Sequence, residues 1–265
     1  MNTFGIVGCG KMGQALSRSI LPALNCPCIC CDTSPDALSD FAAHCAHIKT
    51  QHSPTFTYDI RNVANQCSTV LVAVKPIHAQ AVLQALSNGC EKTILSIVAG
   101  LSLDKLTQYS KSPRCIRIMP NTPALVGAGA IVILDNAIDE NQKNWLTQIF
   151  ADAGVCHFVS DESALDAVTA LSGSCPALFA ILSEALTDAA VAEGLPRSLA
   201  ADLSRETMLG TARLLEQQHP AILKENVMSP GGTTAAGVIA AENNGLRAAA
   251  QAFVAAATQK SRQLS

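Results

Sequence analysis

The chain has 265 residues, a formal net charge of -3, 49% hydrophobic and 15% charged residues, and 16 glycines. That length suits two packed units or one large α/β unit, and so apolar a composition excludes a disordered protein. No Lys/Arg cluster longer than a pair offers a footprint for nucleic acid. No uninterrupted apolar run approaches the roughly 20 residues of a membrane span, and MNTFGIVGCG lacks the basic start and apolar stretch of a signal peptide, so a cytoplasmic protein is expected.

In chain order, the first half alternates short β-rich apolar runs with helical segments, the pattern of βα units around a parallel sheet. Strands are predicted at Thr3–Val7, Pro27–Cys31, Thr69–Val74, Thr93–Val98, Arg114–Met119, Ala130–Leu134 and Val155–Val159. Helices are predicted near Gly13–Leu24, Pro35–Ala46, Ile77–Ser87, Leu103–Tyr109 and Glu140–Ala153.

The first strand runs directly into Gly8-Cys9-Gly10-Lys11-Met12-Gly13, a G-x-G-x-x-G turn that opens a helix. Gly8 permits the tight turn, Gly10 lets the backbone approach a pyrophosphate, and Gly13 lets helix and strand pack closely. The helix N-terminus adds free N–H groups for the anion, so residues 8–13 are candidate dinucleotide contacts. A glycine-rich turn with no ligand is the bland alternative.

The second strand carries Cys26-Pro-Cys-Ile-Cys-Cys-Asp32. Asp32 falls where a carboxylate bonds the adenosine ribose, which favours NADH and repels a 2′-phosphate unless the side chain turns away. Thr33 and Ser34 follow it as further candidates, and Ser34-Pro35-Asp36 can itself start a helix, leaving Asp32 merely in the turn. The eleven cysteines are odd in number and read mostly as small buried hydrophobes. On a strand, Cys26, Cys28 and Cys30 share one face with Cα atoms about 6.6 Å apart, so the three are not expected to close on one zinc. Adjacent Cys30 and Cys31 point to opposite faces, which disfavours a disulfide between them. The six histidines show no metal-ligand pairing, and no metal site is expected.

Ala73-Val74-Lys75-Pro76 and Val98-Ala99-Gly100 close two later strands at their carboxyl ends, the edge where ligands bind in a doubly wound sheet. Both are candidate cofactor segments; an exposed loop lysine and a tight turn are the plain readings. Arg117-Ile-Met-Pro-Asn121-Thr-Pro123 is a proline-fixed corner with an Asn able to donate and accept, suited to a nicotinamide or substrate edge, or else only a turn.

After Ser160 the composition becomes alanine- and leucine-rich at helical spacing, which divides the chain into a domain over 1–160 and an all-α domain over 161–265. Further helices are predicted at Arg197–Gln218, Pro220–Asn226, Thr233–Asn243 and Leu246–Gln263, and the Gly and Pro of Leu171-Ser-Gly-Ser-Cys-Pro176 predict a kink. Faces this apolar call for a helical partner from another subunit. Ser229-Pro-Gly231-Gly232-Thr233-Thr234 opens onto a helix, where free amides and hydroxyls suit a small carboxylate; an ordinary Ser or Thr cap is the alternative.

GCGKMG, AVKP, RIMPNTP, DAVTALSGSCPA and SPGGTTAAG stand in the order and near the spacing of the pyrroline-5-carboxylate reductases, and the chain resembles that family over nearly its whole length. The resemblance implies a Rossmann domain followed by a helical dimerisation domain, a homodimer or higher homo-oligomer, and hydride transfer from NADPH or NADH to 1-pyrroline-5-carboxylate, forming L-proline. It implies that Ser229, Gly231, Gly232, Thr233 and Thr234, with Asn121, bind the substrate, that Thr234 lies near the ring nitrogen as the catalytic hydroxyl, and that Asn121 also walls the nicotinamide. The chain departs from the family's SGSGPAY at Cys175 and Leu178, and Asp32 replaces the Ser or Arg frequent in NADPH users, which leaves the cofactor open. The competing readings are a hydroxyacid dehydrogenase of the 6-phosphogluconate type, a coenzyme F420-linked NADP reductase, and a dinucleotide sensor without turnover. Against the hydroxyacid enzymes, residues 161–264 hold only Lys224 and Lys260 as candidate catalytic lysines, neither in a glycine-rich helical setting.

Overall fold

A computed structural model describes residues 3–87, 92–136 and 138–264. In chain order, β1 (Phe4–Val7), α1 (Lys11–Ala23), β2 (Cys28–Cys31), α2 (Pro35–Cys45), β3 (Thr55–Thr57), α3 (Ile60–Gln66), β4 (Thr69–Val72), α4 (Pro76–Leu86), β5 (Thr93–Ser96) and α5 (Leu103–Ser110) alternate. β6 (Arg114–Met119) passes through a 3-10 turn at Thr122–Val126 to β7 (Gly129–Leu134), and α6 (Glu140–Ile149) leads to β8 (Gly154–Val159). The strands form one sheet in the order β3-β2-β1-β4-β5-β6-β7-β8. Its first six strands have the 3-2-1-4-5-6 order of the Rossmann fold.

β1 and β2 are buried at every position, and their side chains alternate between two cores. Phe4, Ile6, Cys28 and Cys30 face α1, α2 and α6, while Val7, Ile29 and Cys31 face the side of α3, α4 and α5. A sheet covered on both faces makes continuous apolar strands the stable choice, each large side chain contributing about 1.5–3 kcal/mol by leaving water.

The structure corrects the expectation of a purely parallel sheet: β6 and β7 pair antiparallel, Ile118 opposite Ile133 and Met119 opposite Val132. The link between them holds one 3-10 turn, too little chain for the crossover that a parallel pair needs. β3 and α3 were not anticipated, because a three-residue edge strand with exposed side chains has no hydrophobic periodicity to read. β4 and β5 stop two residues before their apolar runs do, so Ala73, Val74, Ile97 and Val98 extend beyond the ladder.

The helical half comprises α7 (Ala164–Val168), a π-helical turn at Thr169–Ser174, α8 (Cys175–Ala192), α9 (Arg197–Leu215), α10 (Pro220–Val227), α11 (Thr233–Asn243) and α12 (Leu246–Leu264). The kink expected at Leu171–Pro176 is that π turn, with Pro176 in the first turn of α8 where its missing N–H costs nothing. The composition shift at Ser160 marks the end of β8; by packing, the chain divides later, into one compact unit of residues 1–173 with 257–265 and a second of residues 174–256. Within the second unit α8 and α9 are joined by the Ser183 and Ser204 hydroxyls, 3.1 Å apart.

One helical stretch, Ala164–Ala192, is long and apolar enough to cross a membrane by length and composition, and only 17% of its most apolar window is buried. It is not an uninterrupted apolar run, since Asp166, Glu184 and Asp188 break it, and it reaches that length only on its mean hydropathy. Phe179, Ile181 and Leu186 stand more than half exposed on it, and Leu199 and Leu203 are exposed on α9.

Candidate active site

A cleft of about 620 Å³ opens at the carboxyl ends of β1, β2 and β4, where the strand order reverses. Its walls are Val7, Gly8 and Gly10 from the glycine turn, Cys31, Asp32, Thr33, Ser34 and Ala37 after β2, Tyr58 and Ile60 after β3, and Ala73, Val74, Lys75, His78 and Val82 after β4. Gly8 has φ +104°, and a Cβ there would meet the Ala73 carbonyl oxygen at 2.5 Å, so the turn closes only with glycine. Gly13 packs so closely on the Gly8 carbonyl that a side chain is excluded. At Gly10, by contrast, a Cβ would meet nothing within 4 Å, which leaves the backbone open to the cleft. α1 begins on Gly10 with no side-chain cap, so its first N–H groups face that opening. This cradle fits a dinucleotide pyrophosphate.

Asp32 sits opposite the glycine turn. Its Oδ2 accepts the Cys9 N–H at 2.8 Å and its Oδ1 accepts the Ser34 N–H at 2.9 Å. The α2 cap is a separate device, in which Ser34 Oγ accepts from the Ala37 N–H. Asp32 is therefore not the helix cap; it ties the glycine turn to the β2–α2 corner from inside the cleft.

The cleft gathers Gly8, Gly10, Asp32, Thr33, Ser34, Ala73, Val74 and Lys75 from the residues read in the sequence. Cys9, Lys11, Met12 and Gly13 build the turn without lining it: Cys9 is buried, Met12 packs on the core, and Lys11 points to solvent. Tyr58, Ile60, His78 and Val82 line the cleft without having been anticipated. A strand ladder would have placed the segment after β3 there, but that strand left no readable pattern.

Pro76, Ala99 and Gly100 lie around a separate hollow of about 300 Å³ with Ile77, Lys105 and Leu264, on another face of α4. Val98 is buried in the core beneath it. Asn121 is buried, its Oδ1 accepting the Ala130 N–H at 2.9 Å and its Nδ2 donating to the Ser172 carbonyl at 3.1 Å. It thereby joins β7 to the π turn, keeping one N–H and one lone pair for other work. Arg117 pairs with Glu162, whose Oε1 also accepts the Leu103 N–H at 2.6 Å.

In the second unit, Ser229–Gly232 forms a turn closed by the Gly232 N–H donating to the Ser229 carbonyl at 3.0 Å. Gly231 has φ +70°, and a side chain at Gly232 would strike the Ser229 hydroxyl. α11 starts on Gly232 with no side-chain cap. The ordinary Ser or Thr cap is thus not what this loop forms, and the first amides of α11 remain available to an anion. A hollow of about 390 Å³ beside it is lined by Ser229, Pro230, Lys224 and Met228.

Eight of the ten described cysteines are buried as small hydrophobes, and Cys26 and Cys156 are half-buried. Burial first, then the Asp32 and Asp59 carboxylates, pushes the Cys31 thiol up to about 11; burial likewise takes Cys45 and Cys67 up to about 12. Cys28 and Cys30 lean together until their sulfurs stand 3.9 Å apart, closer than their strand spacing suggests. No cluster of three or more metal-ligating side chains forms among the described residues.

A Rossmann sheet, a glycine turn at its switch point, an acid after β2 and a helical second unit define a nicotinamide-dinucleotide-dependent oxidoreductase. The family model for pyrroline-5-carboxylate reductase dimerisation matches residues 162–264, and one described as NADP oxidoreductase, coenzyme F420-dependent, matches residues 3–100. The chain is 38% identical to the pyrroline-5-carboxylate reductase of Synechocystis sp. over 98% of its own length and 97% of that protein's, and 34% identical to that of Pisum sativum over 99% and 96%. Its fold is similar to a pyrroline-5-carboxylate reductase structure from Coxiella burnetii, with TM-score 0.86 at 30% identity over 99% and 98% of the two chains. A Plasmodium falciparum pyrroline carboxylate reductase with NADP bound is similar at TM-score 0.83 and 30% identity over 99% and 98%. The chain belongs to the pyrroline-5-carboxylate reductase family.

Proposed function

We propose that this chain reduces the C=N bond of 1-pyrroline-5-carboxylate to form L-proline, as a cytoplasmic homodimer or larger homo-oligomer. The dinucleotide, NADPH or NADH, supplies the hydride when bound. The open Gly10 backbone and the first amides of α1 hold its pyrophosphate, and Asp32 with Thr33 and Ser34 meets the adenosine ribose. Lys75 reaches the dinucleotide from the opposite wall; Ala99, Gly100 and Asn121, which lie outside that cleft, are assigned to the nicotinamide end by the family resemblance alone, and Val98 supports them from the core.

The amides of Gly231 and Thr233, with the Ser229 hydroxyl, hold the substrate carboxylate at the start of α11, and Gly232, whose N–H is given to the Ser229 carbonyl, closes the turn around it. Thr234, in the first turn of that helix, keeps a hydrogen bond to the ring nitrogen, and the proton that the nitrogen gains passes through this hydroxyl from solvent water, which restores the O–H as it is given up. A cyclic imine needs little more: protonation makes its carbon electrophilic, and orientation supplies most of the remaining rate. The exposed apolar faces of α8 and α9 bury against a second copy.

One observation carries the reading: the similarity to reductases spans 98% of the chain, so it includes both the dinucleotide cleft and the SPGGTT helix start. The test incubates purified protein with 1-pyrroline-5-carboxylate and either reduced dinucleotide, following loss of dinucleotide absorbance and formation of proline. No loss with either dinucleotide refutes it.

A further inference from the structure

We infer that this chain selects NADH over NADPH through Asp32, whose carboxylate the fold fixes inside the cleft. The inference rests on the dinucleotide reading of the cleft given above and adds the choice between its two ligands.

A carboxylate in this position tolerates a 2′-phosphate only by swinging away, and here it is held at both oxygens, by the Cys9 N–H at 2.8 Å and the Ser34 N–H at 2.9 Å. Turning it out would strip the buried Cys9 amide of its partner and break two charge-assisted bonds together. A carboxylate offers about four acceptor positions, so after these two bonds it still has lone pairs for the ribose hydroxyls of NADH.

Among the described residues, the surroundings set no uncommitted cation beside Asp32 to balance a phosphate. The Ser34 oxygen caps α2 by accepting the Ala37 N–H, and its hydroxyl and that of Thr33 offer a phosphate neutral donors without a positive charge. Arg61, the cation of the neighbouring β3–α3 corner, is gripped by Asp59 through Nε at 2.9 Å and Nη2 at 2.8 Å, its charge matched by a second acid. Lys75 and His78, the basic residues lining the cleft, follow β4, and β1 separates that strand from β2 and Asp32. Both Asp32 and Asp59 add negative potential at the Cys31 thiol beneath this corner, after burial itself. A phosphate dianion would enter a pocket corner of its own sign.

The test is an equilibrium fluorescence titration of the whole protein with NADH and with NADPH, without substrate, at low and at high salt. NADH is expected to bind at least about tenfold more tightly, a gap of about 1.4 kcal/mol. The gap should narrow as salt screens the repulsion. Asp32→Asn keeps an oxygen for one amide and removes the charge, and should shift the ratio at least about tenfold towards NADPH. Equal or tighter NADPH binding by the unaltered protein overturns the inference, as does an unchanged ratio in a folded Asp32→Asn protein. Binding of neither dinucleotide would instead refute the reading of the cleft itself, and the inference with it.

Discussion

Alanine at Gly10 and alanine at Gly8 separate two jobs that the glycine turn does together. Gly10 has φ -73° and ψ -172°, an extended conformation open to any residue, and its added methyl would meet nothing within 4 Å. Alanine is a poorer N-cap than glycine by up to about 1 kcal/mol, and the loss of unfolded-chain freedom returns about 0.4–1 kcal/mol, so stability should change by less than about 1 kcal/mol. The methyl nevertheless occupies the approach of the pyrophosphate, and NADH binding should weaken at least about tenfold, or about 1.4 kcal/mol. Gly8→Ala behaves differently, since φ +104° and a 2.5 Å contact with the Ala73 carbonyl oxygen afflict the free protein. Left-handed strain of about 1–2 kcal/mol and overpacking of about 1–3 kcal/mol put its destabilisation at about 2–5 kcal/mol. Urea denaturation measures the first quantity and fluorescence titration the second. Unimpaired NADH binding by Gly10→Ala would refute the assignment of this opening to the dinucleotide.

Other consequences follow from the same geometry. Thr234→Ala should bind dinucleotide normally and lose turnover on the order of 100-fold, and unchanged kcat would remove the hydroxyl from the mechanism. Phe179→Glu places a charge on an apolar face 55% exposed in the single chain, so light scattering should report a smaller particle than the unaltered protein; an unchanged mass would clear this face of a role in assembly. The buried thiols Cys31, Cys45 and Cys67 hold their protons up to about 11, 12 and 12, above the ordinary 9.0. The unfolded chain gives them up sooner, so their stabilisation is complete below about pH 9 and declines as pH rises through the folded values, by up to about 1.4 kcal/mol per thiol per pH unit. Urea midpoints at about pH 8 and about pH 10 check this, and equal midpoints contradict it.

The features that sequence exposes here are local ones. Gly8 to Gly13 and Asp32 could be read because a turn and a strand end impose residue types at short, fixed spacing. Tyr58 and Ile60, which complete the cleft, depended on a three-residue strand whose side chains are mostly exposed, and such a strand leaves no alternation. The reversal between β6 and β7 was invisible in the strands themselves, since β-branched runs carry no direction. The signal lay in the short PNTPALVGA link, which leaves no room for a crossover. Ala73 and Val74 were folded into a strand because cleft-lining and ladder residues are equally apolar. The second half is harder still: Ala164–Ala192 has the composition of a membrane span, and its exposed face makes sense only with something to cover it.

The central claim is tested most directly by supplying purified protein with 1-pyrroline-5-carboxylate and NADH, and in parallel with NADPH, while monitoring dinucleotide absorbance and assaying for L-proline. The account predicts stoichiometric loss of reduced dinucleotide and appearance of L-proline, faster with NADH. Absence of proline with both dinucleotides, from protein that binds them, would contradict it.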